Sequence, residues 1–469
     1  MRHGLTNSSL QVHAVGAVVL VLASVVVSGC GYRSNFFTAS ESVVPFELSP
    51  VPEGVVWARE SVHAIGWDGA PFPPEETGSL EVSRDGGATY AEVAFVQARA
   101  GRYLYTAPAD GPPRLRLRLT VGKVARETRD VALGASQKRA YRATRVLTDA
   151  PFGPRDGAGA LVHRDRMWLI GGWNPERFPR STANDVWSSE DGIAWREEKP
   201  NTFLTADFDA TADWEGRHLA GYEVMDDAMW ILGGDPLQGR YQRDVWRSSD
   251  GKRWARVTDA AGFGARALHM SAHFGGRLWV MGGQRIEQFV VPRPGEDISA
   301  ALFGDVWSSR DGAAWQRVEP VGPSWEPRSF VGNTAVHAGR LWVVGGGSYE
   351  DPPAGRNARE FRADAWSTAD GAAWTKAREA PPFAPRQSHN VVAFDGRLWV
   401  IAGYEPSGNL GDFWYTADGE NWYEQKVPGF VERHAACVWA HRGALFVGSG
   451  NAIDGKVFRA DVFRIEPAP

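Results

Sequence analysis

From about residue 140 to the C-terminus, short apolar runs rich in Val, Leu and Trp alternate with Gly, Asp and Ser clusters. Segments such as RLWVMGG (277–283) and DVWSSRDG (305–312) are too short for helices. Their β-branched and aromatic content, bounded by Asp-Gly turns, predicts strands joined by tight hairpins. The pattern recurs six times, the last copy without its final element: an aromatic three residues before an Arg, an apolar strand, RLWV or a variant of it with a pair of small residues, a variable loop, then DVWSS-x-DG-x-x-W. The last tryptophans of the copies, Trp195, Trp254, Trp315, Trp374 and Trp422, lie 59, 61, 59 and 48 residues apart. A period near 50 residues predicts four-stranded units of a radial β-architecture and argues against a helical solenoid.

Between Pro45 and Leu133 the rhythm changes. SVHAIGW, SLEVSRDGG, YAEVAFVQ, GRYLYTAP and PRLRLRLTVG alternate apolar and polar residues between Gly, Pro and Asp clusters, which predicts a small antiparallel β-sandwich. It is similar to immunoglobulin or fibronectin type III modules in this alternation, though it lacks paired cysteines. Its expected role is a spacer, with glycan or partner binding as the alternative.

The repeats resemble the kelch family of β-propellers. The resemblance rests on the small pairs closing each second strand, at 171/172, 233/234, 282/283, 345/346, 402/403 and 449/450. It implies an all-β, six-bladed propeller over 136–469 behind a sandwich over 45–135. The sixth copy contains ALFVGSG and DVFRIE but no outer DG-x-x-W strand, whereas YRATRVLTDAPFGPR from Tyr141 matches WARVTDAAGFGAR from Trp254. Residues 138–147 are therefore expected to close the ring as the outer strand of the last blade, leaving no open edge there. The S-x-DG-x-x-W turns also resemble the Asp-box of sialidases, with Ser83–Tyr90 a full-length copy. That box is a hairpin element and implies no sialidase chemistry.

Residues 1–29 read as a signal peptide. Ala14 to Val27 is apolar but shorter than the ~20 residues that span a bilayer. Val27-Ser28-Gly29-Cys30 resembles the bacterial lipobox, which implies acylation of Cys30, a tether over 30–44 and export to the cell envelope on a lipid anchor. After Cys30 the chain has one further cysteine, Cys437, so no internal disulfide is expected. A net charge of −5 gives no basis for nucleic-acid binding.

Fifteen of the 21 tryptophans occupy positions shared by the repeats, which makes them packing residues rather than a sugar-binding signature. Asp185, Asp244, Asp305, Asp364, Asp412 and Asp461, ahead of each third strand, read as loop hydrogen-bond acceptors. Arg155, Arg217, Arg266, Arg328, Arg386 and Arg433 begin the innermost strands, three residues after an aromatic. In kelch domains arginines at this place often grip acidic groups, so six guanidiniums around one mouth would suit a carboxylate, sulfate or phosphate. The alternative is that each stacks on its aromatic or caps nearby carbonyls.

Specificity is expected from what differs between copies: Trp173, Asp235, Gln284, Gly347, Tyr404 and Asn451 directly follow the small pairs and open loops of unequal length. These features point to an interaction module for an anionic glycan, an acidic peptide or an envelope protein, without a cofactor. The alternative is a sugar epimerase similar to the sialic acid mutarotases, with acid–base candidates Glu215, Asp235, Glu326 and Glu432. A copper oxidase like galactose oxidase is disfavoured, because nothing joins Cys437 to a Tyr–His cluster. Asp207-Phe208-Asp209 lacks the remaining ligands of a calcium loop.

Overall fold

The computed structural model describes residues 44–235, 240–289, 299–329, 334–452 and 457–469. The signal segment, Cys30 and the tether up to Val43 lie outside these. The described chain is all-β, with three single-turn 3₁₀ segments and no α-helix.

Each repeat forms an antiparallel sheet in sequence order. The first contains Gly159–His163, Arg166–Trp173, Thr182–Ser189 and Trp195–Lys199. Corresponding sheets begin at Gly221–Met225, Met270–Phe274, Ala335–His337, Asn390–Phe394 and Cys437–His441. The sixth takes its outer strand from far upstream: Tyr141–Leu147 pairs antiparallel with Val462–Pro467. Tyr141 fills the place of the missing outer tryptophan, buried edge-on against Trp399 at 4.8 Å. The first strands are neighbours in order, from Gly159–His163 through Gly221–Met225, Met270–Phe274, Ala335–His337 and Asn390–Phe394 to Cys437–His441, which adjoins Gly159–His163. Between them lies a cavity of about 320 Å³ lined mainly by Leu161, Val336, Val392 and Trp439, with Tyr222, Glu223 and Thr334 as its polar exceptions.

Three sets of tryptophans hold the sheets. Second-strand indoles (Trp168, Trp230, Trp279, Trp342, Trp399) donate to the carbonyl five residues back, capping the preceding hairpin. Four outer indoles, those of Trp195, Trp254, Trp315 and Trp422, donate to the glycine carbonyl of their own turn, as Trp195 does to Gly192. They also meet the aromatic of the Arg motif edge to face, as in Phe152–Trp195 and Phe383–Trp422, both at 5.0 Å. Such pairs add about 0.5–1.5 kcal/mol beyond area burial.

The turns that precede these strands are built alike. Ser189 Oγ accepts the N–H groups of Asp191 and Gly192, while Asp191 accepts those of Ile193 and Ala194. Ser248/Asp250, Ser309/Asp311, Thr368/Asp370 and Thr416/Asp418 repeat the arrangement. Glycine is required in them: Gly251 has φ +72°, and a Cβ there would stand 2.2 Å from the Trp168 ring of the preceding sheet.

The N-terminal part forms two β-layers around a shared core, with two departures from the expected antiparallel sandwich. Its larger sheet includes one parallel pair, Val56–Ala58 with Val131–Gly134. Its other layer, the antiparallel pair Val62–Gly66 and Arg102–Thr106, continues the fifth repeat sheet through the Val62–Trp422 pairing. Trp57, Ile65, Leu80, Leu117 and Tyr105 share the core between the layers. The sandwich is thus joined to the repeats by a sheet, not only by a linker.

Candidate functional site

The six arginines occupy one repeated arrangement, and it is internal. All are at most 2% exposed. Each guanidinium forks onto the aspartate preceding the third strand of its own sheet: Arg155–Asp185, Arg217–Asp244, Arg266–Asp305, Arg328–Asp364, Arg386–Asp412 and Arg433–Asp461, at 2.5–2.6 Å. Nη1 also donates to the carbonyl of the first small residue of the pair: Gly171, Gly233, Gly282, Gly345, Ala402 and Ser449. In the first five repeats the same aspartate also receives the third-strand indole, as Asp412 does from Trp414 at 2.7 Å. The aspartates are acceptors as expected, and their principal donors are the arginines.

Burial alone would raise these carboxyls, but the paired guanidiniums hold Asp244, Asp305, Asp364 and Asp412 below the usual carboxylate range. Arg328, Arg386 and Arg433 lie over their own motif aromatics, Trp325, Phe383 and Phe430. The expected ring of guanidiniums facing a ligand is therefore corrected: these groups are neutralised inside the sheets, because a buried cation needs a fixed counter-charge. They secure the base on which the variable residues stand.

Those variable residues do come together. Each residue after a small pair bridges the residue after an arginine: Trp173 with Asp156, Asp235 with His218, Gln284 with Ala267, Gly347 with Ser329, Tyr404 with Gln387, and Asn451 with His434. Two polar groupings result. In the first, His218 stands between two carboxylates, Nε2 at 3.5 Å from Asp156 and Nδ1 at 3.8 Å from Asp235. Burial would lower its pKa, yet the two carboxylates outweigh this and raise it to about 9. Asn451 donates to Asp156 at 3.0 Å, and the Trp173 ring lies 5.6 Å from His218. Asp156 Oδ1, His218 Nδ1, Asp235 Oδ1 and Asn451 Oδ1 are buried without a hydrogen-bond partner.

The second grouping is more fully bonded. Gln284 exchanges hydrogen bonds with the Tyr349 backbone and receives Ser329 Oγ. Arg359 lies 3.9 Å over Tyr349 and 5.4 Å from Tyr404 while pairing with Glu350. His434 meets Asn409 at 2.7 Å and packs edge-on against Tyr404.

Among the proposed acid–base residues, Asp235 alone belongs to these groupings. Glu215 accepts from Gln242, Glu326 pairs with Arg362 at 2.6 Å, and Glu432 packs against Gly411. Asp156, His218 and His434 were missed. Their signal was legible, since the residue after each repeat arginine changes from copy to copy. Cys437 is fully buried beside the Ala158 carbonyl, and burial pushes its thiol up to about 12. Among the described residues no group of three or more His, Cys, Asp or Glu is arranged to hold a metal ion.

No protein-family model matches the chain. A leucine-zipper-like transcriptional regulator 1 homolog of Drosophila melanogaster is similar to it, 26% identical over 217 residues. The match covers 43% of this chain and 20% of that protein, so the chain spans a minor part of its relative's length.

Proposed function

We propose that the chain is an exported, lipid-anchored binding protein: a tether from Cys30, a sandwich and a six-bladed kelch-type propeller whose mouth recognises a hydroxyl-rich glycan. The cyclic order of the six first strands supports the propeller reading. The observation that carries the ligand class is the set of buried atoms on Asp156, His218, Asp235 and Asn451 that make no hydrogen bond, beside the Trp173 ring. Buried polar groups are normally satisfied, so this concentration favours water or a ligand supplying hydroxyl donors and acceptors. An indole face beside them suits the apolar face of a sugar ring.

With the arginines paired to aspartates, an acidic group on the ligand is no longer required. A glycan-bearing envelope protein fits the reading as well as a free oligosaccharide. The imidazole between two carboxylates favours one second reading, a sugar epimerase or mutarotase, in which Asp235 and His218 would exchange protons with the sugar. The test is a glycan-array screen of the protein, followed by NMR of anomer exchange on whichever sugar binds. Binding without accelerated exchange supports the module, fast exchange selects the enzyme, and absence of any glycan binding refutes both.

A further inference from the structure

A second cavity, of about 380 Å³, opens where the sandwich meets the repeats. Its size falls at the lower end of small-ligand sites. The walls combine apolar surface from Val51, Ile65, Pro381 and Pro385 with two cations, Arg102 from the sandwich and Arg378 from the loop after the fourth repeat sheet. Neither guanidinium has a carboxylate within ion-pairing distance among the described residues. This sets them apart from the six repeat arginines, each of which has its aspartate.

Arg102 is held partly buried in this position. Its Nη2 donates to the carbonyls of Pro382 and Phe383, while its Nε is buried with no partner. Burial, and then the charge of Arg386, lower its pKa from the ordinary value. Arg378 donates to the Gly54 carbonyl at 3.3 Å, bringing the second cation to the same seam. The only acidic residue of the lining, Glu379, is already engaged by Trp57 Nε1 at 3.0 Å and His63 Nδ1 at 3.1 Å. His63 stacks on Trp57 at 4.1 Å, which fixes that carboxylate away from a role as counter-ion to Arg102.

We propose that this cavity binds a small organic carboxylate, held by Arg102 and Arg378 across the junction of the sandwich and the fifth repeat sheet. The planar guanidinium fork matches a carboxylate, and the proline and aliphatic walls suit the short carbon chain behind it. Because its two charged contacts come from the two parts of the chain, the ligand also links occupancy to their union.

Calorimetric titration of the full chain with succinate, and separately with inorganic phosphate at matched ionic strength, tests this. Succinate should bind, and Arg102→Gln and Arg378→Gln should each weaken it by roughly tenfold or more, as expected for loss of a charge-assisted bond. Arg378 is exposed, so its variant keeps the test valid should Arg102→Gln impair folding. Unchanged succinate affinity in a folded variant, absence of succinate binding, or binding of phosphate alone would each overturn the assignment.

Discussion

Arg386 and Asp412 are 26 residues apart in the chain and meet at 2.6 Å with the arginine fully buried. Both members of each such pair recur in all six repeats, so their partnership could have been read from their joint repetition. It was obscured because separations from 26 to 39 residues carry no fixed period. Removing one partner strands the other as a buried charge. Arg386→Met should therefore cost about 3–5 kcal/mol in urea unfolding at pH 7, whereas Arg386→Met/Asp412→Leu should lose much less than the two single changes summed. Additive losses would show that the pair is not coupled.

The buried histidines give the protein a definite acid response. Burial, reinforced by Arg266 and Arg386, lowers His269 and His389 to about 3. The unfolded chain takes up a proton at each below pH ~6.5 while the folded chain does not, so stability falls as pH drops, by about 1.4 kcal/mol per unit per group. His218, raised to about 9, works oppositely: its contribution is present below pH ~6.5 and is lost as pH rises through 9. His389→Gln keeps a donor for the Val344 carbonyl, which His389 Nε2 meets at 2.8 Å. It should reduce proton uptake on unfolding at pH 5 by about one, read as the slope of stability against pH. An unchanged slope would place the acid sensitivity elsewhere.

At the level of elements, the strand pattern was legible because tryptophan positions and Asp-Gly turns mark it locally. Even the displaced outer strand was readable, predicted at 138–147 and found at Tyr141–Leu147, since it retains the sequence of its equivalents. The union of Val62–Gly66 with the fifth sheet was not readable, because Val62 and Trp422 are joined by edge pairing that leaves no trace in either segment's alternation. These two edges should differ in consequence. A chain lacking 31–134 should stay folded but expose the edge at Trp422–Gln425, whereas one lacking 31–148 also leaves Val462–Pro467 unpaired and should melt markedly lower. Equal melting temperatures would contradict the structural contribution of Tyr141–Leu147.

Across the molecule as a whole, the repeated residues build the sheets, and the unrepeated ones carry the chemistry of the proposed mouth. The positions Trp173, Asp235, Gln284, Tyr404 and Asn451 were legible as variable, but their grouping with Asp156, His218 and His434 depends on backbone bridges that only the fold supplies. Anchoring is a separate matter: Cys30→Ser should abolish metabolic labelling with a radioactive fatty acid, and persistent labelling would remove the anchor. The most direct measurement of the central claim is calorimetric titration of the strongest glycan-array ligand into wild type, Trp173→Ala, Asp235→Asn and Arg386→Lys. The first two variants should lose binding by roughly tenfold or more while remaining folded, as each would remove a proposed contact, whereas Arg386→Lys should lower the melting temperature yet bind like wild type when folded. Selective loss of affinity in Arg386→Lys, with Trp173→Ala and Asp235→Asn binding normally, would contradict that claim.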